Sequence, residues 1–298
     1  MSQTDTAIAI GSSPDHRPVG VVVAMDAESR HFLDRIEIER EERDGPWLDR
    51  FARVAGVPLV VIRSGMGMVN AAAATERLIN AHRPRAMLNF GCSGAHRRDV
   101  LQGDVVIGER SVHHAALHIL PSGEEVHQGM HVEVAGEAFA PTHLPSDPDL
   151  VALARLAAET WTPEPWPRSL GWPEAVPYRE PKVHVGAVGS ADVWTQAQVR
   201  LDALHAQHGT LCEDMEAAAM AQVCTLHHVP FLTIKDISNN EFHAVSDLTA
   251  FADFPTEEVG KRAAMLLLQV VEQMATHQAA RVSVGDADAE DALARREG

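Results

Sequence analysis

Three observations predict an α/β fold, a mostly parallel, mixed central sheet with helices on both faces. β-branched apolar runs recur along the chain, helix-forming segments separate them, and glycine-rich or polar stretches follow the runs. The run "VGVVVAM" (19–25) has the continuous apolar character of a strand buried on both faces. "PLVVIRSG" (58–65) is a second such strand, and "NAAAATERLINAH" (70–82) has helical spacing, strong helix formers and Asn70 as a candidate N-cap. "AMLNFG" (86–91) and "DVVIGE" (104–109) follow as strands, and "PKVHVGAVGSA" (181–191) runs into a small-residue turn. "EAAAMAQVCTLHHV" reads as a helix, "PFLTIKDI" as a buried strand, and "TEEVGKRAAMLLLQVVEQMATH" as a long helix with an apolar stripe.

This alternation gives one domain over residues 18–280, preceded by a loose arm (1–17) and followed by a charged, fraying tail (281–298). The segment 155–180 is rich in proline and tryptophan, which suggests a flap or an interface element. The 298 residues carry 25 Lys+Arg against 42 Asp+Glu, a net charge of −17. No basic stripe is available to displace the counterions of a nucleic acid, so that partner class is disfavoured. No apolar run reaches the roughly 20 residues of a membrane span, and no leader pattern opens the chain; a cytoplasmic enzyme of small molecules is expected. The 17 histidines include the pairs His113-His114 and His227-His228, which read as surface residues without the spacing of a zinc site. The three cysteines, Cys92, Cys212 and Cys224, read as reduced.

In parallel sheets, ligands bind where strands end, so chemistry is sought in "MDAES", "SGMGMVN", "GCSGAH", "GSADVWT" and "SNNEF". Each glycine cluster alone is compatible with a tight strand-to-helix turn, and none is followed by the GKS or GKT of a P-loop. Carboxylates are seldom buried without partners, so Glu213, Asp214 and Glu216 against the small-residue run after them mark either a corner or a working site.

Taken in order, the blocks "VAMDAES", "SGMGMVNAA", "NFGCSGA", "QGDVVI", "GSADVWT", "CEDMEAAAMAQVC" and "VPFLTIKDISN" resemble the purine nucleoside phosphorylase and nucleosidase superfamily, most of all its 5′-methylthioadenosine/S-adenosylhomocysteine nucleosidases. The resemblance covers about residues 18–275 and implies a cofactor-free, metal-free N-ribosyl hydrolase that forms a homodimer. It implies that Glu28 orients and deprotonates the attacking water, with Asp26 a less critical acid, and that Glu216 accepts hydrogen bonds from the ribose hydroxyls. Met215 would line the sugar, Trp194 the base, and Cys92, Ser93 and Gly94 the same pocket, with Cys92 a packing variant of a small residue. Asp192 reads as a turn residue and Asp214 as a supporting acid.

Two departures bear on function. Asn89 stands where the phosphorylases of this group hold a phosphate-binding arginine, which favours water over phosphate. Asn239 stands where the nucleosidases hold the aspartate that protonates the leaving base, and an amide cannot supply a proton. Three readings stay open on the sequence: a different, better leaving base whose 6-oxo group Asn239 reads; adenine release in which Asp236 or Glu241 supplies the proton or leaving-group protonation is weak; or a chain that binds nucleosides with little turnover.

Overall fold

The computed structural model describes residues 16–170, 172–243 and 256–294, through the backbone alone beyond residue 277. The expected arm (1–17) therefore lies almost wholly outside the described residues.

A ten-stranded mixed sheet forms the centre. In chain order its elements are β1 (Val19–Val23), α1 (Asp26–Leu33), β2 (Ile38–Asp44), β3 (Trp47–Val54), β4 (Val57–Arg63), α2 (Met68–His82), β5 (Ala86–Ala95) and β6 (Val105–His113). Two small hairpins follow, β7 (Leu117–Ile119) with β8 (Glu125–His127) and β9 (Val132–Val134) with β10 (Glu137–Phe139). The chain returns through β11 (Leu144–Pro145), α3 (Pro148–Thr160), β12 (Val183–Ser190), α4 (Gln198–His208), β13 (Thr210–Asp214), α5 (Ala217–Leu226), β14 (Phe231–Asn239) and α6 (Lys261–Ala294). The strand order is β11-β6-β12-β13-β5-β1-β4-β3-β2, with β14 paired to both β5 and β6.

The alternation of side chains along each strand divides the core into two layers. Val19, Val21 and Val23 of β1, with Leu59, Val61, Leu88 and Phe90, pack under α1, α3 and α6. Val22, Ile62 and Met87 point the other way, onto the alanine-rich faces of α2 and α5. A strand that feeds both layers must be apolar at every position, which is why β1 reads as an unbroken run.

Three local expectations change. "GCSGA" is not a turn: β5 continues through it to Ala95, because β14 and β13 supply pairing partners on its two sides. Asn70 does not cap α2; Gly67 stands at the cap, and Asn70 in the first turn donates to the Met66 carbonyl (2.6 Å). The hairpin β2–β3 is legible only in hindsight, since six of the seven residues of β2 are exposed and charged positions crowd it.

The proline- and tryptophan-rich segment is a fastened strap. Proline withholds backbone donors, so side chains close the segment's carbonyls. The buried Arg262 of α6 donates to the Glu164 and Pro165 carbonyls and lies over the Trp166 ring, and Tyr178 donates to the Trp166 carbonyl (2.9 Å). Arg179 grips Asp104 with two bonds of 2.6 Å. Burial alone would raise that carboxyl, but Arg179, His184 and two backbone N–H groups hold it below the ordinary range.

Candidate active site

Glu28 sits in the first turn of α1, where the helix dipole favours a carboxylate. It does cap the helix, accepting from the Met25 N–H (3.0 Å), and it also accepts from the Cys92 N–H on β5 (2.8 Å). The two bonds turn the carboxylate from α1 toward the carboxyl end of the sheet. Gly91 makes this possible: a β-carbon there would stand 2.5 Å from Glu28 Oε1. Only 3% of Glu28 is exposed, and burial raises its carboxyl above the usual value, opposed by the charge of Lys235 and by the Cys92 and Met25 hydrogen bonds.

Glu216 is the residue from which α5 begins, and its backbone (φ −135°, ψ −46°) lies outside the helix. Its Oε1 accepts from the Gly67 N–H (2.8 Å) and its Oε2 from the Met215 N–H (3.2 Å). Gly67 has φ +99°, a conformation that an L side chain resists, and so turns its N–H inward. Asp192 receives the next N–H, of Met68 (2.8 Å), as expected of a turn acid. Burial, with the neighbouring Asp214 adding to it, pushes the Glu216 carboxyl up to about 7, against the pull of Lys235.

Glu28, Cys92, Ser93, Gly94, Trp194, Met215, Glu216 and Asn239 all line one cleft at the carboxyl ends of the strands, with Ala24, Met25, Met66, Val193, Glu213, Asp214 and Ser238. All eight residues expected at the site are thus brought together. Asn239 ends β14; its Oδ1 accepts from the Ser238 hydroxyl (2.8 Å) and its Nδ2 donates to Glu241 (2.9 Å). Gly94 faces this amide across the β14–β5 pairing. Ser93 donates to the Asp236 carbonyl (3.2 Å), and burial together with Glu28 raises the Cys92 thiol far above its ordinary value.

Two groups at the site go beyond the sequence reading: one it did not single out, and one it left as a corner or a working site. Lys235, 2% exposed in the middle of β14, places its Nζ 2.7 Å from Asp214 Oδ2. Burial would lower its pKa, but Asp214, Glu216 and Glu28 together hold it well above the ordinary value. Asp214 also accepts from the Ser190 hydroxyl and the Ala217 N–H, so its supporting role is structural in a literal sense. The available signal was a lone lysine within the apolar run "FLTIKDIS".

The second is Glu213, which accepts from Thr195 N (2.7 Å) and Thr195 Oγ1 (3.0 Å), with His96 Nε2 and His114 Nε2 at 3.2 and 3.4 Å. His114 is buried, against the expectation of a surface pair, because it backs this carboxylate. Burial alone would raise Glu213, yet the adjacent His114 and His96 rings and the Thr195 N–H hold it down at about 2. It fixes the Trp194-Thr195 wall of the cleft.

Among the described residues, the asparagine and the arginines that bear on phosphate binding are engaged with other partners, and none of these arginines lines the cleft. Asn89 is buried, donating to the Val22 carbonyl and accepting from Thr233. Arg30 pairs with Glu257, Arg63 with Asp26, Arg97 with Asp99 and Arg98 with Asp202. The cleft can therefore deprotonate a small nucleophile at Glu28, grip vicinal hydroxyls at Glu216 and stabilise positive charge between the two carboxylates. No group of three metal-ligating side chains occurs among the described residues, nor any helix long and apolar enough to cross a membrane.

The sequence profile of the phosphorylase superfamily matches residues 18–272. A 5′-methylthioadenosine/S-adenosylhomocysteine nucleosidase of Chromohalobacter salexigens is 30% identical over 264 residues, which are 87% of this chain and 99% of that protein. One from Shewanella pealeana is 30% identical over 86% of this chain and 99% of its own length. Among solved structures, the Streptococcus pneumoniae nucleosidase of the same kind, with a transition-state inhibitor, superposes with TM-score 0.66 at 22% identity, covering 86% of this chain and 99% of its own. Futalosine hydrolase of Helicobacter pylori gives 0.67 at 19% identity, with coverage of 87% and 98%.

Proposed function

The chain belongs to the phosphorylase superfamily and to its nucleosidases, and from that premise we propose that it hydrolyses the N-ribosyl bond of a 5′-alkylthio purine nucleoside such as methylthioadenosine or adenosylhomocysteine. The observation that carries the reading is the convergence of Glu28 and Glu216, two buried carboxylates from distant elements, on one cleft.

Glu28 takes a proton from water as its oxygen approaches the anomeric carbon. Its raised carboxyl suits the task, because a general base works best with a pKa drawn toward the operating pH. Glu216 accepts the ribose 2′ and 3′ hydroxyls and fixes the ring for in-line attack. Both carboxylates lie near the cationic sugar of an oxocarbenium-like transition state, where a low-dielectric setting magnifies their effect. Met215 lines the sugar, Trp194 packs on the base, Cys92, Ser93 and Gly94 form the opposite wall, and Asn239 contacts the purine. We extend the proposal to a homodimer: Met66 and Val193, 38% and 46% exposed, set apolar surface at the mouth of the cleft that a second copy would cover.

The test is base release from methylthioadenosine, adenosylhomocysteine, adenosine, inosine and guanosine. The expected result is free adenine from the two 5′-thio substrates at the highest kcat/KM. Release from inosine and guanosine alone would assign the site to 6-oxopurines, and ligand-induced stabilisation without release from any of the five would leave a binding protein.

A further inference from the structure

A purine leaving as an anion is slow to depart, so a hydrolase of this kind gains about 10²–10⁴-fold from a group that hands the base a proton. Asn239 cannot do so, and the carboxylates around it are mostly committed. Asp236, one of the two alternatives open on the sequence, is 0% exposed, and its oxygens accept from the Gly260 N–H (2.9 Å) and the Arg262 N–H (3.0 Å) at the start of α6. It faces α6. Asp214 is paired to Lys235, and Glu213, surrounded by donors, stays ionised. Glu28 and Glu216 serve the water and the sugar.

We infer that Glu241, hydrogen-bonded to the cleft residue Asn239, is the general acid of the reaction. The inference rests on the nucleosidase reading above. Asn239 lines the cleft and its Nδ2 lies 2.9 Å from Glu241 Oε1. The Ser238 hydroxyl fixes which end of the amide is which, by donating to Oδ1. The amide therefore grips one oxygen of the carboxyl and leaves Oε2 to carry the proton.

The turn that bears Glu241 is built for position. Asn240, fully buried, donates from Nδ2 to the Arg97 and Val100 carbonyls and accepts the Phe242 N–H at Oδ1 (2.9 Å). Gln198 Nε2 donates to the Glu241 carbonyl (2.7 Å), and Arg98 stacks on Phe242. Partial burial raises the Glu241 carboxyl above its usual value, with the Asn239 bond opposing. In the step itself the C1′–N9 bond breaks, its electron pair passes to the purine, and the Glu241 proton moves to a ring nitrogen of the base. Water bonds to C1′ and gives its proton to Glu28. Glu241 ends as a carboxylate, and exchange with solvent restores both groups.

The test compares wild type with Glu241→Gln on methylthioadenosine and on p-nitrophenyl riboside, whose leaving group departs without a proton. The expected result is a fall in kcat/KM of about a hundredfold on the nucleoside, with less than a threefold change on the nitrophenyl riboside. Asn239→Asp in the Glu241→Gln background should recover nucleoside cleavage, because it puts a carboxyl back at the base. Equal falls on both substrates, or no fall on either, would overturn the assignment while leaving the nucleosidase reading intact. A wild-type enzyme that cleaves only the nitrophenyl riboside would overturn both the assignment and the nucleosidase reading. A wild type inert on both substrates would likewise sink the nucleosidase reading and Glu241 with it.

Discussion

Glu28→Gln lowers kcat/KM for nucleoside hydrolysis by about 10³-fold, since the variant keeps the shape of the side chain and loses the base. In the wild type, activity falls as the pH drops through the folded pKa of Glu28, because the protonated carboxyl cannot accept from water. Burial sets that acid limb above the ordinary 4.5. The variant loses the Glu28 contribution to that limb and keeps the one set by Glu216. Its stability moves the other way. A carboxyl whose folded pKa is raised costs stability as the pH climbs from the unfolded value through the folded one, so glutamine removes a cost that is present at neutrality. Steady-state kinetics across pH, with thermal melts at pH 7, separate a lost base from a misfolded chain. A fall in activity together with a collapse in Tm would speak against the catalytic role.

Lys235→Met has the largest expected effect on stability. The ammonium is the buried counter-charge of Asp214 and also acts on Glu216 and Glu28. Removing one partner of a buried pair leaves an uncompensated charge and costs about 3–5 kcal/mol, a Tm loss on the order of 10 °C for a chain of this size. The two carboxylates proposed to act on water and sugar lose the cation that holds them down, so the acid limb of any residual activity moves to higher pH. Adding Asp214→Asn recovers a large part of the stability, because the orphaned charge goes with it, and a double-mutant cycle in thermal or urea melts reads the coupling. Additive losses in the two variants would mean that the pair is not the unit proposed here.

These two residues also mark where the sequence was and was not transparent. Glu28 and Glu216 were legible through the resemblance of their motifs, "VAMDAES" and "CEDMEAAAMAQVC", to those of the nucleosidases, and each motif ends or follows a strand, which aims both at the same end of the sheet. The eight expected residues share a cleft for that reason. Lys235 and the burial of His114 were not legible, and Glu213 was visible without its role, since a buried charge is explained only by its partner, and those partners sit on other elements: Asp214 on β13, Thr195 after β12. Gly-rich "GCSGA" misled for a related reason, because its extended form depends on pairing to β14 and β13 rather than on its own glycines. The strap was visible as composition only. Its anchoring depends on Arg262 and Asp104, remote in sequence, which no local pattern could connect to it.

The most direct test of the account is whether water alone suffices as nucleophile. Purified protein is incubated with methylthioadenosine in phosphate-free buffer and again with millimolar phosphate, and base and sugar products are separated and quantified. The account predicts free adenine and unphosphorylated methylthioribose at the same rate in both, with Glu28 required in each. Release only when phosphate is present, with the sugar recovered as its 1-phosphate, would contradict it.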